Sequence, residues 1–471
     1  MSDLPQLQGD VIVSKTSTPL YRSVSRWSDT GILERPALII VPESEDDILA
    51  AIDYSTKNAL QLLPAGGGHG SFVPITSKTL YLDLKRFDKV EVDGNAQTVT
   101  VGGGAVTSQL VKACTDQGFY TTWVNSNAVG VVGSILGGGN PTMGGLHGMM
   151  IDHVLSVRLI TAEGRPVEVS PSSTGNDLAL FNALCGAGNG LGVITSLTMR
   201  IFPLNNLQLS EQGVWIRRLI FPESAIELAA RVFDKLQPPP PPLVVAMVCA
   251  RAPPSAPKPG APMIILTVTY YGPPDHAEAI VPVLFDEEIV AKTISAQTVL
   301  TPMSKLNDSL AHLDVHGGFK DIQSAWVKET HSKTIVAAFG KWLDFTTQHE
   351  DARRTTIVLS SFNTQKQIEI SNTAEGQARY CSHRDRGTQA LIISWFTEER
   401  TKLAAADFAK GIKALYRQGS SASELPRTIL NNFGPDTKLS ELHTGGRVGQ
   451  LKRLANFWDP TGLFWKPWNQ E

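Results

Sequence analysis

The chain has 471 residues, 42 Lys and Arg against 45 Asp and Glu, and a formal charge of −3. At roughly 100–200 residues per domain this length suits two or three domains. An apolar share of 42 % and a charged share of 18 % belong to a chain that buries a core, and with no basic tract they argue against a nucleic-acid or anionic-membrane partner.

In chain order, Ala37–Val41 reads as an apolar strand, and Ser44-Glu45-Asp46-Asp47 as a capping-box-like start to a helix through Ile48, Ala51, Ile52 and Ser55. Leu60–Pro64 is the next strand and empties into Gly66-Gly67-Gly68-His69-Gly70. Strands at Thr79–Leu84 and Thr98–Val101 follow, then a helix over Thr107–Gln117 that stops at Gly118. Val154–Thr161 and Pro166–Val169 flank Glu163-Gly164 as a hairpin, and Gly192–Ile201 is a buried strand.

Beyond residue 205 glycine thins out, and 10 of the 25 residues from Pro238 to Pro262 are proline. Such tracts cannot continue a helix or central strand, so they read as loop walls around two strands, Leu243–Ala250 and Met263–Tyr271. Further strands are expected at Thr356–Ser361 and Leu391–Trp395, with helices near Ser324–Val336, Thr334–Thr347 and Leu403–Gln418. This half reads as a second α+β domain, an antiparallel sheet with helices on it. The longest apolar runs, such as Leu243–Ala250, fall far short of the roughly 20 residues of a membrane span. The opening MSDLPQLQGD has neither the basic start nor the apolar run of a secretory signal, so the expectation is a soluble, cytoplasmic chain. Cys114, Cys185, Cys249 and Cys381 form no CxxC pair and read as buried thiols; no metal site is expected.

Three glycine clusters carry the functional signal. Gly66–Gly70 follows a strand, Gly102-Gly103-Gly104 stands between a strand and a helix, and Gly133-Ser134-Ile135-Leu136-Gly137-Gly138-Gly139 is expected in a long loop. Successive glycines let consecutive backbone N–H groups converge on phosphate oxygens. Three such loops suit an extended dinucleotide better than a lone phosphate. A fourth run, Gly186-Ala187-Gly188-Asn189-Gly190-Leu191-Gly192, leads into a strand rather than a helix, which rejects a NAD-binding Rossmann fingerprint.

Taken in order, PAGGGHGS from Pro64, TVTVGGGA at Thr98–Ala105, VGSILGGG at Val132–Gly139, DHVLSVRLITAEG at Asp152–Gly164 and LFNALCGAGNGLGVITSLTMRI at Leu180–Ile201 resemble one family. It is the berberine-bridge-enzyme-like FAD-linked oxidoreductases, with the p-cresol-methylhydroxylase (PCMH) type of FAD domain, in the vanillyl-alcohol-oxidase superfamily. The resemblance is strong over residues 32–203 and resumes weakly at His383-Arg384, Asn432-Phe433 and DPTGLF. It implies an α+β chain: a two-lobed FAD-binding domain at 32–204 with an N-terminal segment 1–31, a substrate domain at 205–425, and a C-terminal segment 426–471 returning to the first domain. It implies that His69 is joined covalently to the flavin 8α-methyl group, and that Ala65, Gly66, Gly67, Gly68, His69, Gly70 and Ser71 hold the pyrophosphate. Gly133, Ser134, Gly137, Gly138 and Gly139 would line the flavin with Asp152 close by, and Val193, Ile194 and Asn432 would meet the cofactor again.

Two departures stand out. Many relatives add a cysteinyl link to the flavin; that position is Ser126 here, so His69 should act alone. The bases usual in the family are also missing: Ala390 takes the strand position, with Gln389 adjacent, and Phe433 takes that of the C-terminal tyrosine. Substitutes on offer include His147, His312, His316 and His331, with Tyr380, His383 and Gln389 ranked first as catalytic candidates. The resulting expectation is hydride transfer from a small organic, secondary-metabolite substrate to FAD, with molecular oxygen as acceptor. The alternative is a flavin-containing isomerase or cyclase with no net redox change.

Overall fold

The computed structural model describes residues 5–12, 24, 26–210, 213–381, 384–418, 428–434, 437–443 and 446–470. Its first layer is a four-stranded sheet. Leu38–Val41, Thr79–Asp83 and Gln61–Ala65 run parallel, and Asp10–Ile12 adds antiparallel at the edge. The helix Glu45–Lys57 makes the crossover, started by the Ser44 hydroxyl accepting from the Asp47 N–H. Its Ile48, Ala51 and Ile52 pack with Leu62, Leu80 and Leu82. Leu463 and Phe464 join this core, and the Leu62 N–H donates to the Leu463 carbonyl at 2.9 Å.

A second sheet is antiparallel throughout, in the order Val90–Asp93, Thr98–Gly102, Val193–Arg200, Val154–Ile160 and Pro166–Val169. The helices Thr107–Thr115 and Gly175–Ala187 contribute Leu110 and Leu184 to its core. All four cysteines are buried, and none forms a disulfide.

The third sheet has seven antiparallel strands, in the order Ser295–Pro302, Gly213–Pro222, Pro262–Tyr270, Leu243–Arg251, Thr356–Phe362, Thr388–Phe396 and Phe319–Val327. One face, carrying Val245, Met247, Ala390 and Ile392, packs against the helices Ile226–Lys235, Ser332–Gln348 and Lys402–Tyr416. Period-two alternation then turns Gln389 to the opposite face.

Two sequence expectations need correction. The helix expected at Ser324–Val336 opens instead on the last four residues of a strand, Phe319–Val327, because pairing along all nine residues with Thr388–Phe396 outweighs local propensity. Helix begins only at Ser332. The cluster Gly133–Gly139 is not all loop: Val131–Leu136 is a short helix whose Val131, Val132 and Ile135 are buried, and Gly137 ends it. The sheet also holds the strands Gly213–Pro222 and Ser295–Pro302, the second a largely exposed edge without an apolar alternation to signal it.

Candidate flavin site

The strand Gln61–Ala65 delivers the chain into the glycine loop, and the strand Thr98–Gly102 delivers Gly103 and Gly104 beside it. Between them lies a cleft of about 460 Å³ lined by Gly66, Gly67, Gly104, Lys85, Asn127 and His316 among others. The walls are backbone against backbone. A Cβ at Gly104 would fall on the Leu84 carbonyl oxygen, and one at Gly67 on the backbone of Gly130 and Ala128. The close approach therefore exists only with glycine at both positions; the Gly103 and Gly104 N–H groups donate to the Thr195 and Phe87 carbonyls, so an anionic group such as a pyrophosphate would be met from the Gly66-Gly67 side and by Lys85, which shares the lining with Asp83 and Asp314.

His69 follows two residues after Gly67 of the lining. Its ring stacks on Trp27, centroids 5.4 Å apart and planes 18° apart, and meets His316 edge-on at 5.8 Å. Its Nε2 is buried without a hydrogen-bond partner. Burial above all, with His316 and Lys320 adding to it, lowers the His69 pKa to about 3, so the imidazole is neutral. An orphaned buried nitrogen beside a glycine cradle is what a covalent histidyl link to a flavin would complete. The remaining loop atoms are tied inward: the Trp27 N–H donates to the Gly68 carbonyl, Arg26 donates to the Gly70 carbonyl, and the Ser71 N–H donates to the His69 carbonyl.

The second glycine segment meets the C-terminal residues. Asn431 donates to the Gly133 carbonyl at 3.1 Å and packs against Gly137, while Ile429 lies near Gly138. The Ser134 hydroxyl donates to the Val131 carbonyl, and the Met150 N–H to that of Gly139. Val193 and Ile194 turn their side chains into two separate cores; what reaches the glycines is backbone, with the Gly103 N–H donating to the Thr195 carbonyl. Asp152 is engaged by Arg384, which donates from both terminal nitrogens at 2.7 and 2.8 Å with each side chain only 3 % exposed.

The catalytic candidates separate. Gln389 accepts from Asn140 at 3.1 Å and donates to Asn432 at 3.4 Å, a cluster of three amides joining the seven-stranded sheet, the segment after Gly139 and the C-terminal segment. Asn140 Oδ1 remains buried and unpartnered. Tyr380 lies elsewhere, buried in the core of the second sheet, its hydroxyl 3.5 Å from Gln450 and its ring under Arg447. Burial raises its pKa, so it is a poor base. His383 lies outside the described residues. His147 bonds Tyr120 and stacks on Phe202, and His331 pairs with Asp234. Phe433 packs on Phe72. Ser126 donates to Asp314 at 2.6 Å. Trp27, Lys320 and Asn140 carry no local sequence signal; only the folded topology brings them to the site.

The buried histidines set a pH dependence. Burial lowers His69 to about 3 and His147 and His443 to about 4, and lowers His153 as well, against an unfolded value near 6.5. Between pH 6.5 and 4 the unfolded chain binds more protons, so stability rises with pH in that window and is flat above it. On acidification the melting temperature should therefore already be falling between pH 6.5 and pH 5, before carboxylates titrate. A midpoint unchanged from pH 7 to pH 5 would contradict the neutral, buried assignment.

Residues 36–170 match the FAD binding domain family. An FAD-linked oxidoreductase (hasG) of Aspergillus fumigatus is 27 % identical over 94 % of this chain and 92 % of its own length. Another from Pyricularia oryzae (OXR1) is 25 % identical over 90 % and 82 %. Among solved structures, 6-hydroxy-D-nicotine oxidase from Arthrobacter nicotinovorans superposes with a TM-score of 0.79 at 17 % identity, covering 98 % of both chains. Berberine bridge enzyme from Eschscholzia californica gives 0.76 at 17 % identity over 98 % of this chain and 96 % of its own. The fold is that of the berberine-bridge-enzyme-like flavoenzymes, and the chain is an FAD-dependent oxidoreductase. Among the described residues no helix is long and apolar enough to cross a membrane, and no group of acidic, His and Cys side chains is arranged to hold a metal ion.

Proposed function

We propose that this FAD-dependent oxidoreductase holds its flavin through His69 alone, oxidises a small organic substrate of the secondary-metabolite kind, and passes the electrons to molecular oxygen. The observation that supports this most directly is the buried, unpartnered Nε2 of His69, two residues beyond Gly67 of the cleft and in ring contact with His316, which lines it. Ser126, the place of a second link in the family, is occupied with Asp314 and offers no thiol. When bound, FAD supplies the two-electron acceptor for a hydride leaving a C–H bond next to oxygen or nitrogen.

The chain's own part is positioning. Gly66, Gly67 and Gly104 shape the pyrophosphate cradle, and Asn431 and Gly133 fix the helix Val131–Leu136 against the C-terminal segment. Gln389, Asn140 and Asn432 present amide donors and acceptors that would orient a substrate hydroxyl or amine. Amides do not titrate, so none of the three removes a proton. That neutrality is the specific reason to keep the second reading, an isomerisation or cyclisation without net electron transfer.

His69→Ala is expected to leave no flavin in an acid-precipitated pellet while the native protein still binds some FAD. Covalent flavin surviving in this variant would refute the assignment. Oxygen is tested on the wild type: after anaerobic reduction with dithionite, admitted air should restore the yellow colour within seconds. Reoxidation over many minutes would point to another acceptor or to the non-redox reading.

A further inference from the structure

Beyond His69 itself, the segment from Leu313 to Gly318 is built against the attachment residue with more bonds than a connecting loop needs. Trp27 Nε1 donates to the Leu313 carbonyl at 2.8 Å, and Ser126 donates to Asp314. The Gly317 N–H donates to the Arg26 carbonyl at 3.0 Å, and the Gly318 N–H to Asp29 at 2.6 Å. In the middle sits His316, with Nε2 3.2 Å from the Gly67 carbonyl and Nδ1 3.2 Å from its own segment's Asp314 carbonyl. A neutral imidazole donates to one of these and the cation to both, so the ring is anchored in either form.

The consequence falls on His69. Trp27 covers one face of its ring, itself held by Lys320, whose ammonium lies 4.6 Å from the Trp27 ring centroid and 4.4 Å from that of Trp395. His316 stands perpendicular to the His69 ring. Between them the imidazole has one orientation, and its Nε2 is left bare. We propose that His316 is a positioning residue for covalent flavin attachment, walling His69 against Trp27 so that a ring nitrogen is held free for bond formation. This rests on the reading that His69 carries the flavin.

In that attachment one C–H bond of the flavin 8α-methyl breaks and one C–N bond to His69 forms. One proton leaves the methyl and one leaves the His69 N–H. The two electrons enter the flavin ring and pass on to dioxygen, which takes up two protons to give hydrogen peroxide. Only an unprotonated imidazole has the electron pair for the new bond. The charged and titratable groups around His69 are His316, Lys320 on the strand Phe319–Val327, Arg26 and Asp29 beside Trp27, and Asp314 held on Ser126. Of these, His316 and Lys320 oppose a charge on His69.

The test follows attachment, not turnover. Wild type, His316→Ala and His316→Phe are produced under riboflavin limitation and incubated with FAD in air. The flavin retained in the acid-precipitated pellet is then followed at pH 7.5 and pH 5.5. Attachment in His316→Ala should slow at least tenfold with non-covalent FAD still bound. His316→Phe, which restores the ring wall, should recover at both pH values. A His316→Ala rate within twofold of wild type at both pH values overturns the proposal. Should the Ala protein hold no flavin, His316→Phe decides, and a rate that stays at least tenfold below wild type overturns it. A wild type that releases all its flavin on acid treatment instead sinks the underlying reading of His69.

Discussion

Replacing Arg384 by methionine is expected to destabilise the protein by about 3–5 kcal/mol, a loss of roughly 3–5 °C in melting temperature. Arg384 and Asp152 are each 3 % exposed and share two hydrogen bonds, so removing the guanidinium strands a carboxylate away from water. The Met149 N–H also donates to that carboxylate, but one neutral donor does not replace a paired cation. Asp152 lies in the turn Met150–His153 that feeds the second sheet, and Arg384 precedes the strand Thr388–Phe396 of the seven-stranded sheet. The pair thus joins the glycine-bearing half to the half that carries Gln389. Exchanging both residues, Asp152→Leu with Arg384→Met, should recover most of the loss, because no charge is then left buried. A single variant melting within 2 °C of wild type would show that the carboxylate finds solvent, and that the pair does not hold the halves together.

How much of this arrangement the sequence disclosed depends on the range of the interaction concerned. The first two hundred residues were readable because local signals agree there: Ser44 caps its helix as its chemistry requires, and the glycines follow strands where a turn must form. The resemblance then supplied roles for His69 and the glycine loops that spacing alone could not. In the second half the helix expected from Ser324 takes in the end of the strand Phe319–Val327, whose reason lies in a partner about seventy residues away. The same limit applied to the site. His316 was visible only as one of several histidines, and nothing near it in sequence says that Gly317 and Gly318 bind Arg26 and Asp29 and so bring it to Gly67. Gln389 and Ala390 were adjacent candidates; the strand pairing separates them, sending Ala390 into the helix-covered core and Gln389 to Asn140 and Asn432.

Gly67→Ala is expected to lower the flavin content of the purified protein at least tenfold. The added Cβ would meet the Gly130 N–H and the Ala128 carbonyl, both backbone, so no side chain can swing aside to make room. The loop would have to move away from Gly130, taking with it the Gly67 carbonyl on which His316 rests and the mouth of the cleft. Gly70→Ala provides the comparison inside the same loop, since a Cβ there meets nothing within 4 Å. The loss of conformational freedom on going from Gly to Ala is of similar kind at both positions, so the two variants differ chiefly in backbone crowding. The flavin-to-protein absorbance ratio should collapse for Gly67→Ala and hold for Gly70→Ala. Loss in both would mean that the space beside Gly70 belongs to the bound cofactor itself. Retention in Gly67→Ala would show that the cradle yields, and that the close approach of Gly67 to Gly130 is not what shapes the site.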